Sequence, residues 1–135
     1  MVALPARCTS CVSNWNEEIT REFESGTRLA RASVTQSYSG DIAGDSVVEY
    51  LLSYDADGTV KFVGLEVVTG SVGGRRGSVV IQHDGTFVGP RARSDWSFVY
   101  GSGTDELISL RGSGTFESVD NQHVNSSFIY TFGEQ

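Results

Sequence analysis

Hydrophobic alternation with a period of two runs through most of this 135-residue chain. In Ser46–Tyr54, the residues Val48, Tyr50, Leu52 and Tyr54 fall on one face of an extended strand, because successive strand side chains point to opposite sides. Asp55-Ala56-Asp57-Gly58 then reads as a hairpin turn, and Thr59–Thr69 resumes with strand-forming residues. The pattern recurs in Thr27–Tyr38, Ser78–Gln82, Thr86–Val88, Trp96–Tyr100, Thr104–Arg111, Thr115–Val119 and Asn125–Phe132. Turn signals separate these runs, His83-Asp84-Gly85 among them, while Gly70–Gly77 breaks the pattern. Asn14–Phe23 has Trp15, Ile19 and Phe23 near helical spacing, but a strand or irregular arm is the preferred reading.

About eight or nine short strands with short sequential turns describe an all-β meander, closed as a barrel or split as a sandwich. The barrel is favoured. Glycines inside strands, such as Gly64, Gly103 and Gly114, suit the bends of a small closed sheet, and closure removes exposed edges. The 16 glycines show no collagen period, so they mark turns and bends. The length fits a single antiparallel β-barrel of about eight strands over residues 14–135, preceded by an arm over residues 1–13.

A net charge of -7 disfavours nucleic acid, and the adjacent basic pair is Arg75-Arg76. No apolar run is long enough to span a membrane as a helix, and Met1–Arg7 does not read as a secretory leader; a cytoplasmic location is the default. Asn125-Ser126-Ser127 matches a glycosylation pattern that has force only after secretion. Cys8 and Cys11 have Cys-x-x-Cys spacing, yet no second pair or histidine spacing completes a metal site; incidental cysteines are favoured over redox or metal roles. Gly70–Gly77 lacks the Gly-Lys-Ser/Thr ending of a phosphate loop, so no cofactor and no metal is expected.

Several units then stand in order: Gly40-Asp41-Ile42-Ala43-Gly44-Asp45-Ser46, Phe62-Val63-Gly64-Leu65-Glu66, Gly70–Ser78, Gln82-His83-Asp84-Gly85, Gly101–Leu107 and Leu110-Arg111-Gly112-Ser113-Gly114. Together they resemble a family of small bacterial proteins of uncharacterised function. That family is similar to the allene oxide cyclase-like barrel, a calycin-style cup also seen in dirigent proteins. The resemblance implies a lumen for a small hydrophobic molecule, and barrels of this kind often associate as a homodimer or homotrimer. It carries no catalytic residue onto this chain.

The residues themselves offer candidates. Glu66, between Leu65 and Val67, is the acid whose position asks most for an explanation: buried in a lumen it could act as a general acid or base, and paired with an arginine it would be structural. Arg76 could clamp a carboxylate or enolate, or bridge Glu66 and Glu49 to brace the barrel. Tyr50 and Tyr130 could aim phenols into a cavity or simply pack in the core. His83 is expected at a turn on the rim, exposed or in contact with a ligand. Glu106, Trp96 and Phe98 complete the candidate set; these two aromatics, like Trp15 outside the set, fit core, lumen or subunit contacts equally. These features favour a small-molecule cyclase or isomerase acting on a hydrophobic, oxygen-bearing substrate. A carrier barrel without turnover and a solid-core structural barrel remain the alternatives.

Overall fold

The computed structural model describes residues 3–133. Eight antiparallel strands follow in chain order: β1 (Leu4–Glu22), β2 (Arg28–Gly40), β3 (Ile42–Tyr54), β4 (Val60–Val72), β5 (Arg75–Val88), β6 (Arg91–Phe98), β7 (Leu110–Ser118) and β8 (His123–Phe132). Each pairs with its sequence neighbour, and β1 pairs with β8, so the up-and-down meander closes into a barrel. The expected all-β barrel is therefore the observed fold.

Alternation sets the interior. Ala30, Ala32, Val34 and Gln36 on β2, Ser46, Val48, Tyr50 and Leu52 on β3, and Val60, Phe62, Glu66 and Val68 on β4 are all buried at even positions. The opposite parity of β3 and β4 faces outward, where Val47, Leu51, Val63, Leu65 and Val67 are exposed. Both faces of this hairpin are thus apolar, which is why alternation there is hard to orient from sequence.

One half of the lumen is solid. Trp96, Phe98 and Phe128 pack ring against ring, Tyr130 joins them through Phe128, and Ile42, Val72, Val79, Ile81, Leu107 and Leu110 fill the same core. The segment between β6 and β7 contains a short 3-10 turn, Asp105–Leu107, which drives Leu107 into that end.

Four expectations change. Residues 4–13 are no arm: they form the first half of β1, paired with both β2 and β8, because Ala6, Cys8 and Ser10 alternate inward. Met1 and Val2 of that stretch lie outside the described residues. His83-Asp84-Gly85 is no turn but mid-β5, since Gly85 leaves room there for the Phe62 ring, only 2.5 Å from where a Cβ would sit. Gly70–Gly77 does not interrupt the sheet; β4 and β5 continue through it to a tight hairpin at Gly73-Gly74. Thr104–Arg111 is mostly connection, and β7 runs through Gly112-Ser113-Gly114.

Candidate functional site

A bulge in β1 shapes the other half of the lumen. Between Val12 and Asn14 the register with β2 shifts, so one extra residue reverses the facing of the strand beyond it. Val12 and Trp15 consequently both look inward. Trp15 lies 6.0 Å from the Tyr50 ring and 6.5 Å from Phe87, and its indole N–H donates to Glu17 at 2.8 Å. Glu17 also accepts from the Tyr54 hydroxyl, whose pKa is pushed up to about 12 by burial first and Glu17 second. These contacts fix Trp15 across the end of the barrel where the β5–β6 and β7–β8 connections lie.

Beneath Trp15 is a cavity of about 250 Å³. Tyr50, Phe62, Phe87 and Phe116 join Trp15 as its aromatic walls, with Val12, Val34, Pro90, Ala92 and Val124 between them. Ser10, Gln36, Tyr38 and Ser118 supply polar surface within it, and Asp120, Asn121 and Gln122 stand at its mouth.

A layer of buried polar groups separates this hollow half from the solid one. Glu66 is fully buried, and four side chains satisfy its carboxylate. His83 Nε2 lies 2.6 Å from Oε1, while Gln36 Nε2 and the hydroxyls of Tyr38 and Ser46 each donate to Oε2 at 2.7 Å. His83 Nδ1 meets Ser94 Oγ at 3.0 Å, and Ser94 donates onward to the Asp95 carbonyl at 3.1 Å. The network draws on consecutive strands β2 to β6. Barrel tilt brings its members together: Gln36 is opposite Ser46, whereas Glu66, His83 and Ser94 each lie diagonally from the preceding partner.

Gly64 makes this arrangement possible. It is the cross-strand partner of both Tyr50 and His83, and a Cβ there would lie 2.5 Å from the Tyr50 ring. Without a side chain at that position, Tyr50 leans across β4 beside His83, with ring centroids 5.9 Å apart.

The electrostatics derive from the donors. Burial alone would raise the Glu66 carboxyl, but the hydrogen bond and charge of His83, with Ser46 and Tyr38, outweigh it and hold Glu66 below its ordinary value. Its negative charge acts in turn on the cavity wall. Burial first, and Glu66 second, push the phenols of Tyr38 and Tyr50 well above the usual tyrosine range. Both therefore stay protonated. With its hydroxyl hydrogen committed to Glu66, Tyr38 has only oxygen lone pairs left, one of them approached by Gln36 Nε2 at 3.5 Å, and Gln36, whose NH2 serves Glu66 and Tyr38, leaves Oε1 without a partner among the described residues. The chain holds a carboxylate, an imidazole and a phenol in one network, yet the carboxylate touches the cavity only through Tyr38 and Gln36.

Of the residues singled out from sequence, Glu66, His83 and Tyr50 meet here. Arg76 does not: it is exposed at the opposite end, where its backbone N–H donates to Glu106 at 2.9 Å. The expected bridge from Arg76 to Glu66 and Glu49 is absent, since Glu49 faces outward and accepts from Ser33 at 2.7 Å. Trp96, Phe98 and Tyr130 belong to the solid half, away from the cavity. Cys8 faces inward while Cys11 lies on the other face of β1, so the pair cannot close a disulfide. Burial above all raises the Cys8 thiol to about 12. Among the described residues, no group of three or more His, Cys, Asp or Glu side chains gathers to hold a metal. Sequence reasoning passed over Gln36, Tyr38, Ser46 and Ser94, although each shares the inward parity of the apolar residues on its own strand.

Residues 6–130 match the family described as protein of unknown function DUF3224. The chain belongs to the DUF3224 family. A crystal structure of a DUF3224 protein of unknown function from Shewanella oneidensis is 24% identical, with a TM-score of 0.74, covering 100% of this chain and 99% of that one. A protein of unknown function from Clostridium acetobutylicum, 9% identical, superposes with a TM-score of 0.65 over 97% of each chain. These likenesses show the barrel fold. No curated protein matches.

Proposed function

We propose that this DUF3224 barrel binds one small, largely apolar molecule in the half-lumen beneath Trp15. The observation that carries the reading is the division of the lumen: one half is packed solid, and the other keeps an aromatic-walled cavity above a satisfied polar layer. Cavities of this composition, with few polar groups to fix orientation, suit ligand binding. The ligand's polar group contacts Gln36 and Tyr38, and its hydrocarbon part contacts Trp15, Phe62 and Phe116. This agrees with the allene oxide cyclase-like cups that the sequence resembles.

The test uses 2-naphthol, a flat molecule with one hydroxyl. Saturable heat of binding in isothermal titration, with a Kd of about 0.1 mM, is expected for a ligand of this size. Ala92→Leu fills the cavity and should abolish the effect, whereas Leu51→Ser on the outer face should not. Binding that survives Ala92→Leu undiminished, or no binding at all, refutes the reading.

A second reading, a cyclase or isomerase acting on a hydrophobic oxygen-bearing substrate, is favoured by one observation. The Tyr38 hydroxyl is joined through Glu66 to His83, so positive charge developing on a substrate carbon beside the Tyr38 oxygen acts on a connected network. Both Glu66 oxygens are already engaged, so such a reaction relies on wall shape and Tyr38 rather than on Glu66 as a base. Incubation with epoxide and enone substrates, followed by NMR for isomer formation, tests it. Turnover lost in Tyr38→Phe supports the reading; unchanged turnover in that variant, or none in the native protein, removes it.

A further inference from the structure

The polar groups of the cavity set the sign of the ligand it takes. We infer that the lumen selects a small aromatic amine, bound as its ammonium ion, over the corresponding alcohol and carboxylate. This rests on the lumen-binding reading above and adds the chemical class.

Three observations converge. First, no arginine or lysine lines the cavity among the described residues, so a carboxylate or phosphate entering it would meet no counter-charge. Second, the groups presented at its base are acceptors: Gln36 Oε1 is left over because its NH2 serves Glu66 and, at the longer distance of 3.5 Å, the Tyr38 oxygen, and Tyr38 has spent its proton on the same carboxylate. An anion would face these lone pairs directly, while an N–H donor satisfies them. Third, the carboxylate of Glu66 lies one hydrogen bond behind both groups, with His83 on its far side at 2.6 Å. The negative end of that pair is therefore the end nearer Gln36 and Tyr38. Its influence there is visible in the Tyr38 and Tyr50 phenols, on which the Glu66 charge acts in the same direction as burial.

The walls match a cation. Trp15, Tyr50, Phe62, Phe87 and Phe116 surround the space, and aromatic faces attract ammonium groups. Asp120 at the mouth carries a carboxylate of the same sign as Glu66, which adds to the preference for a cation over an anion. Its carboxylate already accepts from the backbone N–H groups of Gln122 and His123 at 2.8 and 2.7 Å, and meets His123 Nδ1 at 3.0 Å.

Isothermal titration of the native protein with 2-naphthylmethylamine, 2-naphthylmethanol and 2-naphthoate decides it, because the three share one ring system. The amine should bind roughly tenfold more tightly than the alcohol, the scale of a partly desolvated cation–aromatic contact. The carboxylate should bind more weakly than either. Glu66→Gln should bring the amine-to-alcohol ratio towards one, and Tyr38→Phe, which keeps the Glu66–His83 pair, should lower it by removing one acceptor. Carboxylate binding as tight as amine binding overturns the inference while leaving lumen binding intact. An amine-to-alcohol ratio near one in the native protein overturns it in the same way. If none of the three binds, the lumen reading itself fails.

Discussion

Replacing His83 by phenylalanine tests whether Glu66 carries a buried charge. The phenyl ring takes the slot between Tyr50 and Phe116, whose centroids lie 5.9 and 5.4 Å from the imidazole, although it must draw back from Glu66 and Ser94, which the imidazole meets at hydrogen-bond distance. The loss is the partner at 2.6 Å from Glu66 Oε1. Three donors remain on Oε2, but the two strongest influences that hold the carboxyl down leave with His83, so at neutral pH the variant bears either an unpaired buried charge or the cost of protonating it. Breaking a buried pair in this way costs about 3–5 kcal/mol, a large part of the roughly 5–15 kcal/mol available to a domain. With a urea m-value near 2 kcal/mol/M, the unfolding midpoint should fall by roughly 2 M. Glu66→Gln/His83→Phe removes the charge while keeping an oxygen for Gln36, Tyr38 and Ser46, and should regain at least about 2 kcal/mol over the single variant. The assay is equilibrium urea unfolding followed by tryptophan fluorescence. A His83→Phe loss below about 1 kcal/mol, with no recovery in the double variant, refutes the reasoning.

The same geometry fixes three further outcomes. Because the folded Glu66 carboxyl lies below its unfolded value near 4.5, its contribution to stability is complete above that pH and is lost as pH falls through the folded value. The stability gap between native protein and Glu66→Gln should therefore shrink below pH 4.5 in urea unfolding; a gap that widens in acid contradicts the assignment. Gly64→Ala places a Cβ 2.5 Å from the Tyr50 ring and 2.8 Å from the Glu49 carbonyl, so it should cost about 1–3 kcal/mol in thermal unfolding and weaken 2-naphthol binding as Tyr50 shifts. Iodoacetamide at about pH 8 should modify Cys11 and spare Cys8, which is buried and titrates near 12; mass spectrometry of the peptides reads the outcome, and equal labelling would show that β1 opens.

The barrel was legible because alternation and turn chemistry act locally, strand by strand. Asp55–Gly58 is a turn for reasons contained in those residues, and Val48, Tyr50 and Leu52 share a face whatever their partners do. Glu66 stood out for a similar reason, as a charge among strand-forming neighbours. Its partners could not be read in the same way. Gln36, Ser46 and Ser94 reach the network through barrel tilt, which converts separations of 30, 20 and 28 residues from Glu66 into contact or near contact, and no local signal fixes that stagger. Arg76 looked suitable by charge and by its glycine neighbours, yet β5 places it at the end remote from the cavity. His83-Asp84-Gly85 had the composition of a turn, and the close approach of Phe62 to Gly85 explains the glycine within a continuous strand. Trp15 reached the lumen only through the β1 bulge, an inserted residue that alternation does not foresee.

The claim that the half-lumen is a binding site is tested most directly by a crystal structure of the protein soaked with 2-naphthol. The ring should lie between Trp15, Phe62 and Phe116, with its hydroxyl within hydrogen-bond distance of Gln36 Oε1 or Tyr38 Oη. A ligand seated on the outer face of β3 and β4, or a cavity closed by its own side chains, would contradict it.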